Sequence, residues 1–192
     1  MYPERTEILR WLYDRLKPKR FLHTLGVEEL AVRLAAQNQV CVQLASTAAL
    51  LHDCAKNMSD NELLEICAVN HVNLGPNEAY PQLLHAFAAP YVAQEAFGAL
   101  PEDLLDAICY HTTGRPQMTA IDKIIFSADY AEPSRKPFPG LKEARRLLLQ
   151  DLDAGTLFIL QNTVDYLQHQ NALIHPYTFN ALQSMQQLRK EN

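Results

Sequence analysis

The sequence predicts an all-α protein. Three observations carry this: helix-start signals recur at short intervals, glycine is scarce at 6 of 192 residues, and the alternating Val/Ile/Thr runs that mark strands are missing. Hydrophobic residues make up 48% and charged residues 20% of the chain, the balance of a globular protein rather than a disordered one. A chain of 192 residues is long enough for one domain with a full core.

Taken in order, the stretch 1–20 mixes charges through its apolar positions, which reads as an amphipathic helix and not as a signal peptide. Pro3 stands where a first helical residue is expected. Ser59-Asp-Asn-Glu62 is a capping box, and Thr119-Ala-Ile-Asp122 resembles one with aspartate in place of glutamate. Pro81, Pro101-Glu102-Asp103 and Pro176 each open a helix. Breaks are expected near Pro18, 38–39, 73–77, Gly98, 113–116 and 132–140. The result is eight or nine helices in a single unit over 1–192, closed by helices at 141–150, 153–169 and 177–190. The proline-rich segment 132–140 directly follows a candidate functional residue. It therefore reads as an ordered loop at the site, not as a linker.

Charge and cysteine usage exclude several classes. Net charge is −5, and the one basic run is Lys17-Pro-Lys19-Arg20. That argues against nucleic acid wrapped on a basic surface. No apolar run approaches the roughly 18–20 residues that span a bilayer, so no membrane association is expected. Cys41, Cys54, Cys67 and Cys109 form no CxxC pair, which argues against a thiolate zinc site. All four lie in apolar segments and are expected to be reduced small hydrophobes in a cytoplasmic protein.

The chemistry centres on Ala48-Ala-Leu-Leu-His-Asp-Cys-Ala-Lys56. A long apolar run puts His52 and Asp53 side by side in buried helix. Burying such a pair unpartnered costs several kcal/mol (~3–5), and a cation compensates well. Adjacent helical residues point about 100° apart, so the two share one ion only where the helix is ending or where Asp53 also bridges outward. Lys56, one turn on, is placed to meet an anionic ligand. His23 lies on the apolar side of the second helix, and Asp129 lies at the end of another strongly apolar one, Ile121–Ala131. Two imidazoles and two carboxylates suit iron, manganese, cobalt or zinc. His85, near a helix start, and His111, at a helix end, fall between Asp53 and Asp129 in the chain. Two readings stand for them: a second metal position bridged by Asp53, or hydrogen bonding to substrate without metal. His71 and His169 are expected on the surface, and His175 as a cap of the last helix. Tyr130 and Phe138 either stack a base or pack.

The order His23 … His52-Asp53 … Asp129 resembles the HD-domain superfamily of metal phosphohydrolases. His111-Thr-Thr-Gly, Asp122–Arg135, Phe138-Pro-Gly140, Asn162-Thr-Val-Asp-Tyr-Leu and Ile174-His-Pro-Tyr-Thr-Phe-Asn-Ala181 are similar to the YqeK-type family of symmetrical bis(5′-nucleosyl)-tetraphosphatases. The likeness runs from Arg20 to Ala181. Arg135-Lys136-Pro137 departs from the family's shorter loop by an extra lysine and proline, and Tyr177 follows Pro176 where an acid often stands.

The resemblance implies an HD-type helical bundle, a two-iron centre and cleavage of diadenosine tetraphosphate into two ADP. Carried over by position, the metal ligands are His23, His52, Asp53, His85, His111 and Asp129, and those facing the pocket also touch substrate. A metal-bridging hydroxide would attack the second phosphorus in line. Asp129 would orient or deprotonate the water. Lys56 and Arg135 would neutralise the leaving group, and Thr112 and Thr113 would donate hydrogen bonds to phosphate. A homodimer is compatible with the sequence. The metal core alone also suits a mononucleotidase or a cyclic-nucleotide phosphodiesterase, and a non-catalytic nucleotide-binding module is a further alternative.

Overall fold

The computed structural model describes residues 2–72, 74 and 80–191. Among them are ten α-helices and no strand: α1 (Arg5–Tyr13), α2 (Pro18–Gln37), α3 (Val42–Leu51), α4 (Asp60–Val69), α5 (Leu84–Phe97), α6 (Glu102–Cys109), α7 (Ala120–Ala131), α8 (Leu141–Leu148), α9 (Leu152–His169) and α10 (Pro176–Glu191). The all-α class holds, with one helix more than the upper expectation. Helix α3 stops at Leu51, and 52–58 runs on in turns before α4 opens at the expected Ser59 box. The break expected at 73–77 lies outside the described residues, apart from Leu74, which is in no regular element.

Both capping boxes form, at Ser59 and at Thr119. The Thr119–Asp122 box shows that aspartate reaches back to the N-cap amide as glutamate does. Pro3 is not in the first helical position: α1 starts at Arg5 after an extended Glu4. Pro81 opens a single 3₁₀ turn, Pro81–Leu83, from which α5 continues.

Helix α2 is the spine of the site. Its inward residues, His23, Thr24, Val27, Glu28, Ala31, Leu34 and Ala35, recur at three- and four-residue spacing. This face packs against α3 and α7. Ala31, Ala35, Ala45, Ala48 and Ala49 are fully buried, and side chains this small let helix backbones approach closely. The buried Glu28 ties three helices together, accepting from Arg5 of α1 at 2.7 Å and from Ser46 of α3 at 2.7 Å. Further helices close around this core. Helix α3 packs on α6 and α7, α5 on α4 and α6, and α9 on α7, α8 and α10.

The cysteines divide. Cys54 and Cys67 are buried as expected, but Cys41 is exposed and Cys109 half-buried. Cys41 is the residue before α3, where the chain turns at the surface, so an apolar neighbourhood in sequence did not bury it.

Candidate metal centre

Six side chains from distant parts of the chain converge. His23 stands one turn into α2. His52 caps the C-terminus of α3, with Asp53 in the turn that follows. His85 is the second residue of α5, and His111 lies just beyond α6. Asp129 is in the last turn of α7. The helix carrying His52 is ending, the first of the two conditions under which adjacent residues share an ion. His52 Nδ1 donates to the Ala49 carbonyl at 2.6 Å, and the chain then runs through three-residue turns such as Cys54 N–H to the Leu51 carbonyl.

Asp53 sits between two groups. Its Oδ2 lies 3.3 Å from His52 Nε2 and 3.8 Å from His23 Nε2. Its Oδ1 lies 3.2 Å from His85 Nε2 and 3.6 Å from His111 Nε2. On the first side Asp129 Oδ1 completes the cluster, 3.0 Å from His23 Nε2 and 4.0 Å from His52 Nε2. The imidazoles contact edge to face in a row, His23 on His52, His52 on His111 and His111 on His85.

The far side of each ring is tied down. His111 Nδ1 donates to the Ile108 carbonyl at 2.6 Å, as His52 does to Ala49. A carbonyl only accepts, so both Nδ1 atoms carry the proton and both Nε2 lone pairs face the centre when the rings are neutral. His23 Nδ1 lies 3.1 Å from Glu132 Oε1, and Glu132 also accepts from the Ser134 amide and hydroxyl. Gly26 makes room for this carboxylate: a methyl group there would overlap its oxygen. Arg20 donates to Asp53 Oδ2 at 2.6 Å, and Arg135 to Asp129 Oδ1 at 2.8 Å. Lys56 Nζ is 3.1 Å from His85 Nε2.

Burial alone would raise the carboxyl of Asp53, but His52 and the other imidazoles outweigh it and hold that carboxyl well below the ordinary range. Asp129 is likewise driven down against burial, chiefly by His23. Desolvation lowers His85 to about 4 and lowers the Lys56 ammonium.

The donor set fits a divalent cation. The Nε2 atoms of His23, His52 and His111 and the Oδ1 of Asp53 are buried without a well-formed hydrogen bond, and such atoms are costly unless something accepts their lone pairs. Two overlapping groups, His23–His52–Asp129 and His52–Asp53–His111, each bring their ligand atoms within 4.8 Å of one another. Nitrogen and carboxylate ligands match first-row transition metals. The neighbouring Cys54 adds no thiolate, since burial pushes its thiol far up and it donates to the Ala89 carbonyl.

Other expected residues have different placements. Thr112 Oγ1 is buried without a hydrogen-bond partner among the described residues. The Thr113 hydroxyl is used inside its own turn, donating to the Gly114 carbonyl at 2.9 Å. His71 and His169 are exposed. His175 Nδ1 accepts from the Tyr177 amide, as a cap does. Tyr130 and Phe138 pack edge to face at 5.1 Å. Arg20 and Glu132 join the site without being singled out by any motif. Their signal was position: Arg20 is one turn before His23, and Glu132 is three residues after Asp129 at the end of the same apolar helix.

A helical scaffold that gathers a His-Asp doublet, an earlier histidine and a later aspartate defines a class, and residues 20–134 match the HD domain family. The chain belongs to that family. It is 38% identical over 175 residues to a symmetrical bis(5′-nucleosyl)-tetraphosphatase of Bacillus subtilis (strain 168), covering 91% of this chain and 94% of that protein. It is 37% identical to the protein so named in Halalkalibacterium halodurans, over 91% of this chain and 92% of that one. A crystal structure of a predicted HD superfamily hydrolase involved in NAD metabolism from Clostridium acetobutylicum matches with a TM-score of 0.92 at 35% identity, over 98% of this chain and all of that one.

Proposed function

We propose that this protein is a metal-dependent hydrolase that cleaves diadenosine tetraphosphate symmetrically into two ADP. The observation that carries the reading is Asp53, whose two oxygens face two separate histidine groups at 3.2–3.8 Å. Near-full-length similarity to symmetrical bis(5′-nucleosyl)-tetraphosphatases supports the substrate.

His23, His52, Asp53, His85, His111 and Asp129 would hold two ions with Asp53 between them. Iron is the preferred ion, and manganese, cobalt or zinc suit the same ligands. Cations there supply polarised phosphoryl oxygens and a more acidic attacking water. The chain's own residues do the rest. Glu132 and the Ala49 and Ile108 carbonyls orient the imidazoles. Asp129, whose Oδ1 lies 3.0 Å from His23 Nε2, would orient or deprotonate the attacking water. Lys56 and Arg135 neutralise charge on the departing ADP, and Thr112 hydrogen-bonds phosphate. Water attacks the second phosphorus, the bond from that phosphorus to the oxygen it shares with the third phosphate breaks, and that oxygen leaves on the second ADP.

The same reading makes 1–192 one functional unit in the cytoplasm that acts on a nucleotide and binds neither membrane nor nucleic acid. It is compatible with a homodimer. Among the described residues no helix is long and apolar enough to cross a membrane.

The test is a substrate panel resolved by chromatography: diadenosine tetraphosphate, mononucleotides, cyclic nucleotides and NAD. Two ADP from the first, with neither AMP nor ATP, supports the reading. Phosphate release from a mononucleotide, or opening of a cyclic nucleotide, with the tetraphosphate untouched overturns it.

A further inference from the structure

The mouth of the centre is a cavity of about 800 Å³ with His23 and Glu132 on its wall. Six basic side chains line it: Lys17, Lys19, Arg20, Lys56, Arg135 and Lys136. The chain has 17 basic residues and a net charge of −5, so gathering six of them on one cavity is not a consequence of composition. Among the described lining residues the one carboxylate is Glu132, which is buried and already engaged by His23 and Ser134.

The six fall into two tiers. Arg20, Arg135 and Lys56 point inward and are occupied by Asp53, Asp129 and His85. Lys17, Lys19 and Lys136 are exposed, and none has an ion-pair partner among the described residues. They come from two segments, the start of α2 and the loop 132–140, and as exposed lining residues they stand at the solvent edge of the cavity. Lys17 and Lys136 each precede a proline, which keeps the preceding backbone out of the helical region. Lys17 accordingly has φ −59° and ψ 146°. Lys136 belongs to the lysine-proline extension noted in the sequence.

We propose that Lys17, Lys19 and Lys136 form an outer anion subsite that selects long polyphosphates by holding the half of the substrate beyond the scissile bond. A mononucleotide with its phosphate at the centre has no charge left to reach the rim. A chain of four phosphates carries charge past the inner tier and out to these lysines. The three are specificity-determining residues, acting on binding and not on the reacting atoms. This rests on the proposed function, and its test separates the two.

The test compares wild type, the triple variant Lys17→Ala/Lys19→Ala/Lys136→Ala and the control Lys142→Ala, an exposed lysine that does not line the cavity. Steady-state hydrolysis of diadenosine tetraphosphate is measured at low and high salt, and binding of inorganic tripolyphosphate by calorimetry. In the triple variant KM should rise roughly tenfold at low salt with kcat within about twofold, and the difference should shrink as salt rises. Tripolyphosphate affinity should fall by a similar factor, and the control should match wild type. Unchanged KM and unchanged tripolyphosphate binding would overturn the subsite, as would an equal effect in the control. If wild type leaves the tetraphosphate uncut, the functional reading fails, and the tripolyphosphate comparison alone decides whether the subsite exists.

Discussion

His23 and Glu132 form a buried imidazole–carboxylate pair, 3.1 Å from Nδ1 to Oε1, on the side of the ring away from the candidate metal centre. The carboxylate fixes which nitrogen carries the proton and presents Nε2 to the centre. Glu132→Gln weakens that orientation without changing size. Metal affinity should fall by about 10–100-fold, read by competition with a chromophoric chelator. Affinity equal to wild type would show that Glu132 does not orient His23.

Gly26 tests the same pair from the neighbouring turn of α2. A methyl group there meets the Glu132 carboxylate, so Gly26→Ala should displace the acid even though alanine favours helix by about 1 kcal/mol. The expected outcome is weaker metal binding together with a lower Tm. Propensity acting alone would raise Tm and leave metal binding unchanged.

Arg115 fixes the turn that carries His111. It donates to Asp122 at the start of α7 at 2.9 Å and to Asp106 of α6 at 2.7 Å. Arg115→Ala removes both charge-assisted bonds and leaves the buried Asp122 short of a partner. The cost should be about 1–3 kcal/mol, with Tm falling about 2–4 °C for each kcal/mol. Chemical denaturation of the metal-free protein measures it, and a change within about 0.5 kcal/mol would contradict this role.

His85 gives a pH signature in the metal-free protein. Burial lowers it to about 4, against about 6.5 in an unfolded chain. Between those values the unfolded state binds the extra proton, so the stability this group contributes is complete above about 6.5 and is lost as pH falls toward 4. An NMR titration of the metal-free protein should find the His85 ring neutral at pH 6. A midpoint near the unfolded value would refute the desolvated placement.

Asp53 faces both histidine groups, so removing its charge should affect both metal positions. Asp53→Asn should lower hydrolysis by more than about a hundredfold, beyond what an orienting residue costs, and elemental analysis should find less than the wild-type metal content. Circular dichroism should still report a helical protein. Retained activity would remove Asp53 from the centre.

Much of this candidate site was legible in the sequence because its proposed ligands break a local rule. His52, Asp53 and Asp129 are ionisable groups inside apolar helical runs, where burial without a partner is costly. The capping boxes at Ser59 and Thr119 were legible because their chemistry is local. The end of α3 at Leu51 was not, since the side-chain bond from His52 to Ala49 that closes it has no composition signal. Arg20 and Glu132 were missed for a related reason. Next to exposed Lys19 and Pro133 they read as ordinary helix-end charges, and only the packing of α2 against α3 turns Arg20 toward Asp53, and of α2 against α7 turns Glu132 toward His23. That packing is a long-range property of the chain.

The most direct measurement is hydrolysis of diadenosine tetraphosphate in ¹⁸O-labelled water, with the products read by mass spectrometry before and after chelation. The account predicts ADP as sole nucleotide product, half of it carrying one heavy oxygen on its terminal phosphate, and loss of turnover on chelation that added divalent metal restores. Label in AMP or ATP, or full turnover in metal-free protein, would contradict it.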